Sequence, residues 1–286
     1  MYSEQIGESL IFHLRNTALS SFDSDSDYQD IISPFTRIYL ITQGNGWLII
    51  GNRKISLEAG NLYLIPNLTS CTYHFGAGLS HYYIHFSIDQ PNGLSPYNLY
   101  SVINKIEAMD LDYKLFQRMV QINPDLQLPH HHPKVYQTKL WLNKKVNFLS
   151  VNQHLETIGI LKQLFSRFLE SGQSHTITSM LKYNIQPVLI HIRNNLQHDI
   201  RVNELAGMAC LSKDHFSKVF KSITGMAPCD YVIRKRIERA QFLLLTTELS
   251  QKEIIGQTGF KSDSYFSRIF KKITSYTPER YRKQRG

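Results

Sequence analysis

The sequence SKDHFSKVFKSITGMAPCDY at residues 212–231 recurs fifty positions later as SDSYFSRIFKKITSYTPERY at residues 262–281. The two copies align without a gap. The identical pairs are Ser212/Ser262, Phe216/Phe266, Ser217/Ser267, Phe220/Phe270, Lys221/Lys271, Ile223/Ile273, Thr224/Thr274, Pro228/Pro278 and Tyr231/Tyr281. In each copy the apolar residues recur at three- and four-residue spacing, which predicts a helix buried along one face. A duplicated basic helix fits a ligand that itself repeats at a regular interval.

Turn residues divide the C-terminal third into helices. A short helix over about 203–209 is predicted to precede a helix over 212–224. Gly225 ends that helix, because glycine tolerates the left-handed conformation found at helix ends. Pro228 then begins a long helix over 228–246, since proline suits the first helical position.

The second copy repeats this order of elements. Ser250 and Glu253 have the spacing of a capping box and begin a second short helix. Gly259 turns the chain into the repeated helix, so the second unit covers about 251–274, and Pro278 begins a last basic helix. A short helix, a tight turn and a longer basic helix form a helix-turn-helix unit, whose second helix enters the major groove of DNA. The first such unit covers about 203–224.

Charge along the chain supports a polyanionic partner for this region. The net charge is +9, and residues 188–286 hold 18 Lys and Arg against 9 Asp and Glu, so the whole excess lies there. A basic domain attached to a neutral one indicates nucleic acid for the first and another ligand for the second. A merely solvated basic surface is the alternative from charge alone.

The outward side of each repeated helix carries the residues expected to contact DNA. Arg268 is predicted to donate to O6 and N7 of a guanine, which is worth about 1–3 kcal/mol against a wrong base. Phosphate contacts add affinity without reading sequence. They are predicted at Ser212, Lys221, Ser262, Lys271 and Lys272. By its charge alone, Lys213 also fits a phosphate contact.

The long helix between the two units sets their separation. Its 19 residues span about 28 Å at 1.5 Å per residue. Successive major grooves on one face of B-DNA lie about 34 Å apart. The hypothesis is that one chain contacts two successive grooves and that the duplex bends somewhat.

The last third, from about residue 180, closely resembles the AraC/XylS family of bacterial transcription regulators. The matching residues are Glu204-Leu205-Ala206, Leu211-Ser212, His215-Phe216-Ser217, Phe220-Lys221, Thr224-Gly225, Pro228, Tyr231, Arg236, Ala240, Leu243-Leu244, Gly259-Phe260, Ser262, Ser264-Tyr265-Phe266-Ser267-Arg268, Phe270-Lys271, Thr277-Pro278 and Tyr281-Arg282. The resemblance implies a transcription activator that binds double-stranded DNA and RNA polymerase. It places base-facing side chains at Lys213, Asp214, Ser217, Lys218, Asp263, Ser264, Ser267 and Arg268. Gly256, where the family usually has alanine, and Ser275, in place of the stop glycine, are departures.

The N-terminal part is predicted to be rich in strands, giving an α+β chain. Six short segments between residues 37 and 87 are rich in β-branched and aromatic residues and are separated by glycine turns. They predict a small antiparallel barrel over about 35–90, followed by helices over about 97–170. The acidic stretch Ser21–Asp30 is expected to be a loop. The expected domains are 1–172 and 176–286.

The strand region is similar to the cupin-like sensor domain carried by many of these regulators. The similarity rests on Gly44-x-Gly46, Ala59-Gly60-Asn61-Leu62 and Leu64-Ile65-Pro66. Metal-binding cupins have early histidines, but Ser33–Tyr39 has none, and Cys71 stands where the later one would fall. We therefore expect no metal, no cofactor and no enzyme, although a cupin enzyme tethered to DNA is a further alternative.

One face of the strand at 81–87 is polar and aromatic, as a pocket for a sugar or another small polar effector would be. The predicted pocket residues are Arg37, Tyr39, Trp47, His81, Tyr83 and His85. The alternatives are that these residues only fill the barrel and that the domain only dimerises. The apolar stripe of Ile158, Leu161, Leu164, Phe165 and Phe168 fits either a homodimer contact or packing on its own barrel.

Other features of the chain limit its class. His130-His131-His132 is expected to be an exposed polar loop, because three adjacent side chains in an extended segment do not converge on one ion. Three scattered cysteines indicate neither a disulfide framework nor a zinc site. Residues 1–20 lack the basic start and the small-residue cleavage site of a secretory signal, so none is expected. No apolar run approaches the length of about 20 residues that a membrane helix needs. A cytoplasmic location without membrane attachment is expected.

Overall fold

The computed structural model describes residues 10–50, 53–89, 96–99, 101–132, 146–170 and 185–283. These residues cluster into two compact units. The N-terminal unit contains residues 12–88 and 102–170, and the C-terminal unit contains residues 185–282 together with residues 10–11, 89, 96–99 and 101. Each unit is considered on its own. The boundary between the expected domains 1–172 and 176–286 lies outside the described residues. Within these ranges, no helix is both long and apolar enough to cross a membrane.

The N-terminal unit is built on two antiparallel sheets. Its strands are β1 (Ile11–Ser21), β2 (Ser26–Ile32), β3 (Thr36–Gln43), β4 (Asn45–Ile50), β5 (Arg53–Glu58), β6 (Asn61–Ile65), β7 (Ser70–Phe75), β8 (Ser80–Asp89) and β9 (Lys105–Glu107). One sheet has the order β1-β8-β3-β6-β9 and the other the order β2-β7-β4-β5. The six strands predicted between residues 37 and 87 are confirmed, as is the antiparallel β-domain followed by helices.

The core of this unit lies between the two sheets. Both sheets contribute large apolar residues to it, including Ile41, Leu48, Leu57 and Ile65, each at most 1% exposed. A tight turn joins β3 to β4 at Gly44, which has a left-handed φ of +76° and would place a Cβ 2.6 Å from the Cα of Leu79. Glycine is therefore required at this close approach.

The loop predicted over Ser21–Asp30 is present only at residues 22–25, because residues 26–30 belong to β2, and the sheets begin well before the predicted start near residue 35. Strand β1 ends at Ser21, and β2 begins at Ser26 and pairs with β7. The acidic residues point outward while Tyr28, Ile31 and Ile32 are buried. Asp27 lies opposite His74, with 3.0 Å between its carboxylate and the ring Nδ1. Cross-strand partners and one buried face thus outweigh the low strand propensity of aspartate and serine.

Two helices pack on the outer face of the five-stranded sheet. After α1 (Pro96–Leu99), the chain forms α2 (Asp110–Ile122) and α3 (Val151–Ser166). The ring of Phe165 in α3 lies 5.6 Å from that of Phe12 and 6.2 Å from that of Phe86. The apolar stripe therefore packs on its own domain, which is one of the two alternatives that the sequence left open for it.

The C-terminal unit is helical from residue 185 onward. Its helices are α4 (Ile185–Asn194), α5 (Val202–Met208), α6 (Lys213–Thr224), α7 (Pro228–Thr246), α8 (Gln251–Thr258), α9 (Asp263–Thr274) and α10 (Pro278–Lys283). The two predicted helix-turn-helix units are confirmed as α5–α6 and α8–α9, with α7 as the helix between them. The capping box of Ser250 and Glu253 forms as predicted.

The repeat in the sequence is also a repeat in packing. Phe220 in α6 packs edge-on against Tyr231, with 5.3 Å between ring centroids, and Phe270 in α9 does the same against Tyr281 at 5.2 Å. Ser212 and Ser262 cap the two helices at equivalent positions. Helix α7 serves both units, because Tyr231 in its first turn closes the first core and its later turns pack on α8 and α9.

The helix ends match in conformation as well. Gly225 ends α6 with a φ of +76°, and Ser275 ends α9 with a φ of +67°. Ser275 thus takes the left-handed conformation of the glycine that it replaces, which is costlier for a residue with a side chain. The turn between α8 and α9 contains Gly259, at a φ of +73°.

Candidate nucleic-acid interface and effector cavity

Helices α6 and α9 each bury one side and expose the other. Phe216 and Phe220 of α6, and Phe266 and Phe270 of α9, are fully buried. The predicted base-facing residues lie on the opposite side. Ser217 and Ser267 are half-buried. The other six are exposed: Lys213, Asp214, Lys218, Asp263, Ser264 and Arg268.

The residues predicted to contact phosphate are all exposed as well: Ser212, Lys221, Ser262, Lys271 and Lys272. Two of them have a second role. The hydroxyl of Ser212 accepts a hydrogen bond from the backbone N–H of His215 at 3.4 Å, and that of Ser262 accepts one from the N–H of Tyr265 at 3.3 Å. Each serine therefore caps its helix, and the N-terminal end of a helix favours an anion such as phosphate.

Two of the predicted base-facing residues of the second unit are held together by a side chain of α8. The amide of Gln251 donates to the carboxylate of Asp263 at 2.5 Å and to the hydroxyl of Ser267 at 3.3 Å. In the first unit, the hydroxyl of Ser217 donates instead to the backbone carbonyl of Lys213 at 2.8 Å. The second unit thus holds its acidic side chain in place before any ligand arrives, and the sequence repeat alone did not identify Gln251.

Arg268 stands over the ring of Tyr265, with 5.5 Å from its guanidinium carbon to the ring centroid. Stacking of this kind restricts the side chain while its donors stay exposed. Lys218 occupies the equivalent place in the first unit, where His215 replaces the tyrosine. Of these two cations, Arg268 is the one whose planar fork suits guanine.

The N-terminal unit contains a small cavity between its two sheets. Its volume is about 40 Å³, enough for roughly three water molecules. Five of the six predicted pocket residues line it: Arg37, Tyr39, His81, Tyr83 and His85. The alternation predicted for the strand at 81–87 is confirmed, because Ile84 and Phe86 are buried on the other side of the sheet.

Trp47 is the predicted pocket residue that the structure places elsewhere. Its ring stacks on His74 at 5.5 Å, and the ammonium of Lys54 lies 4.4 Å above it. Its neighbour Leu48 is the residue of β4 that points into the core. Successive side chains of a strand point to opposite faces, so Trp47, next to Leu48, lies on the outer face of its sheet.

Arg37 places a buried positive charge beside the cavity. Arg37 is 1% exposed, and its guanidinium donates a hydrogen bond to the hydroxyl of Tyr73. Burial lowers the pKa of His81 to about 3, and burial followed by the charge of Arg37 lowers the pKa of His85. Burial raises the pKa of Tyr39 to about 12. At neutral pH Arg37 is therefore charged, while His81, His85 and the hydroxyl of Tyr39 are neutral.

A segment far along the chain covers this cavity. The carbonyl of Leu126 accepts hydrogen bonds from Asn16 at 3.0 Å and from the N–H of Thr17 at 3.1 Å. The N–H of Leu128 donates to the hydroxyl of Tyr83 at 2.7 Å, and His131 Nδ1 lies 3.1 Å from the hydroxyl of Ser20. Both Leu128 and His131 line the cavity.

These covering residues, together with Ser20, Phe22 and Tyr28, were missed by sequence reasoning. Residues 20–28 were assigned largely to a loop, and no local pattern joins them to residues 126–132. His130-His131-His132 was expected to be an exposed loop. His131 is exposed as expected, but its side chain also reaches the cavity.

Metal ligation finds no support in the part of the chain that the structure describes. There, no group of three or more His, Cys, Asp or Glu side chains is placed to hold an ion. Cys71 is buried, and burial raises the pKa of its thiol to about 11. A thiol held neutral in this way is neither a ligand nor a nucleophile at neutral pH.

Comparison with known families agrees with both halves of this description. Residues 205–284 match the family model of a helix-turn-helix domain. Residues 23–94 match the model of the AraC-like ligand binding domain. The two matched segments contain both repeated helices and most of the residues that line the cavity.

Several curated proteins are similar to this chain. The Msm operon regulatory protein of Streptococcus mutans is 25% identical over 250 residues, covering 86% of this chain and 84% of that protein. The transposon Tn10 TetD protein of Escherichia coli is 32% identical over 101 residues, covering 35% of this chain and 73% of TetD. The first similarity spans both units.

Among solved structures, the fold is similar to that of ToxT from Vibrio cholerae. The two share a TM-score of 0.50 at 15% sequence identity, over 96% of this chain and 98% of the other. At this identity the comparison shows a common fold, with a β-rich N-terminal domain and a helical C-terminal domain.

Proposed function

The chain belongs to the AraC/XylS family of DNA-binding transcription regulators, and from that premise we propose how it reads DNA and what controls it. Each of its two helix-turn-helix units places one helix, α6 or α9, in a major groove, so that a single chain contacts two successive grooves. The observation that carries this proposal is the matched exposure of the two polar helix faces, which repeat at an offset of fifty residues.

Arg268 and Lys221 are proposed to act differently on DNA. Arg268→Ala should cost about 1–3 kcal/mol at one base pair and relax the preference there, because it removes a base contact. Lys221→Ala should instead weaken binding to all sequences alike and reduce the slope of log K against log salt by about one. Fluorescence anisotropy on a panel of single-base operator variants, at several salt concentrations, measures both effects.

Lys114→Ala is the matched control, because it removes one exposed lysine of α2 in the other unit. It should change neither specificity nor the salt slope. All three side chains are exposed, so melting temperatures should move little. If Arg268→Ala and Lys221→Ala both leave DNA binding unchanged, the docking face proposed here is wrong.

The cavity of the N-terminal unit is proposed to bind a small polar effector, such as a sugar or a sugar acid. The guanidinium of Arg37 can donate to a carboxylate or hydroxyl oxygen, and Tyr39 and His81 add polar atoms beside apolar rings. The ring nitrogen Nδ1 of His81 is buried without a hydrogen-bond partner among the described residues. A ligand of this size requires the lining side chains to separate, because the cavity has room for only a few waters.

Thermal-shift screening against sugars and sugar acids tests this part of the proposal. A ligand at 100 times its Kd stabilises the folded state by about 2.7 kcal/mol. We expect Tyr39→Phe to reduce the shift, because it removes one hydroxyl from the cavity, and Trp47→Phe, on the outer face, to leave it unchanged. A shift lost equally in both variants would place the effector elsewhere.

A second candidate function for the N-terminal unit is dimerisation without an effector. It is favoured by apolar side chains exposed at the start of α3, where Leu149, Val151 and Leu155 are 94%, 72% and 64% exposed. In that case no ligand would shift the melting temperature. Light scattering would give twice 33.2 kDa for the native chain and 33.2 kDa for Leu155→Arg.

The sign of regulation is proposed from the family. We propose that the chain activates transcription by contacting RNA polymerase beside its DNA site, in the cytoplasm. Transcription in vitro from a template carrying the selected site measures this directly, since an activator raises the yield of transcript and a repressor lowers it.

A further inference from the structure

Arg236, in the middle of α7, makes contacts unlike those of Lys235 and Arg239 in the same helix. Its Nε donates to the carbonyl of Leu196 at 2.9 Å, and its Nη2 donates to the carbonyl of His198 at 2.7 Å. By contrast, Lys235 pairs with Glu238 at 2.8 Å, and Arg239 is exposed. The guanidinium of Arg236 therefore fixes the segment that leads from α4 into the first helix-turn-helix unit.

This segment lies directly against the turn of the second helix-turn-helix unit. A Cβ added at Gly259 would stand 2.3 Å from the carbonyl oxygen of Leu196 and 3.0 Å from Nη2 of Arg236. Leu196 packs on the core of the first unit, so backbone fixed to that unit touches backbone of the second, with Arg236 beside both. The φ of +73° at Gly259 is a second reason for glycine here.

Side chains from both units surround the same place. A groove of about 200 Å³ is lined by Ile200, Val202 and Leu205 of the first unit, by Arg236, and by Phe260 and Tyr265 of the second. Across its edge, the ammonium of Lys261 lies 3.7 Å from the carboxylate of Asp199. The two helix-turn-helix units are therefore held together by direct contacts as well as by helix α7.

We infer that Arg236, with the turn at Gly259, locks the two helix-turn-helix units into one rigid body and so sets the spacing between the DNA half-sites that the chain accepts. Arg236 is a positioning residue in this role and contacts no base. The inference rests on the proposed function, because it requires that both units bind one duplex. If the separation of α6 and α9 is fixed, the chain binds weakly to a duplex in which the distance between the two half-sites has been changed.

The test uses duplexes selected by the native chain from a random pool, then rebuilt with one base pair added between the half-sites. One added pair rotates the second half-site by about 35°, since B-DNA has 10–10.5 base pairs per turn. For the native chain we expect Kd to rise at least about tenfold on this insertion, within the range that a mismatched site costs. For Arg236→Gln we expect this ratio to fall to about two, with weaker binding to the original spacing.

Arg239→Gln is the matched control, because it removes the same charge one turn away without touching Leu196 or His198. It should keep the native ratio at a uniformly lower affinity. Binding of each variant to duplexes with a single half-site checks that both units remain folded. If Arg236→Gln no longer binds either half-site, Arg236→Lys replaces it, and its single ammonium should give an intermediate ratio.

A native ratio in Arg236→Gln, or in Arg236→Lys where that variant is used, overturns the inference. So does a native chain that tolerates the inserted pair. Failure of the proposed function looks different, because the native chain would then enrich no sequence from the random pool.

Discussion

Phe270→Ala is expected to destabilise the second helix-turn-helix unit by about 3–5 kcal/mol, the usual cost of removing a buried phenylalanine ring. The ring is fully buried and lies between Phe266, at 5.5 Å, and Tyr281, at 5.2 Å. Tyr281 is itself held by a hydrogen bond of 2.7 Å from the amide of Gln241. The loss is large against the total stability of about 5–15 kcal/mol of a typical protein.

Hydrogen exchange measured by mass spectrometry locates this effect. Peptides from α8 and α9 should exchange faster in Phe270→Ala, while peptides from α5 and the strands keep their native rates. Gln257→Ala, an exposed change on α8, should alter stability by no more than about 0.5 kcal/mol. Equal loss of protection in both helix-turn-helix units would mean that they do not have separate cores.

Acid is expected to destabilise the N-terminal unit through His81. The pKa of this residue is about 3 in the folded state, because burial penalises the charged imidazole, against 6.5 in the unfolded chain. Between these values the unfolded state binds more protons, so stability falls as the pH drops from about 6.5 toward 3. At 1.36 kcal/mol per pH unit, His81 alone removes about 2 kcal/mol between pH 6.5 and pH 5.

Urea unfolding followed by tryptophan fluorescence isolates this unit, because both tryptophans, Trp47 and Trp141, lie in the N-terminal half of the chain. His81→Gln should lose about 2 kcal/mol less than the native chain between pH 6.5 and pH 5. His154→Gln replaces an exposed histidine and should follow the native profile. If His81→Gln and the native chain have the same pH dependence, His81 is not buried in its neutral form.

The C-terminal unit could be predicted from the sequence almost completely, because local rules determine it. The capping serines, the glycine turns and Pro228 mark helix ends independently of tertiary contacts. The repeat then identifies which positions are equivalent, so the positions predicted to be buried or exposed in α6 predict those in α9. Gln251 and Arg236 lay beyond this reasoning, because their partners at Asp263 and Leu196 are distant in sequence.

In the N-terminal unit, the side chains that face the cavity could be predicted only where polar and apolar residues alternate along a single strand. The shared face of His81, Tyr83 and His85 could be predicted because they alternate along β8, and all three line the cavity, while their contact with an effector stays a prediction. The sequence around Asp27 reads as a loop because its charges face solvent, and only the pairing of β2 with β7 shows that Tyr28 faces the cavity. Trp47 was misplaced because its strand is apolar on both faces, which leaves the register open.

Hydroxyl-radical footprinting of the native chain on a selected duplex is the most direct test that one chain reads two successive major grooves. With a single chain bound, the account predicts two protected patches about ten base pairs apart on one face of the duplex. In Phe270→Ala one of these patches should disappear while the other remains. A single patch in the native complex, or a second patch that appears only when a second chain binds, would contradict the account.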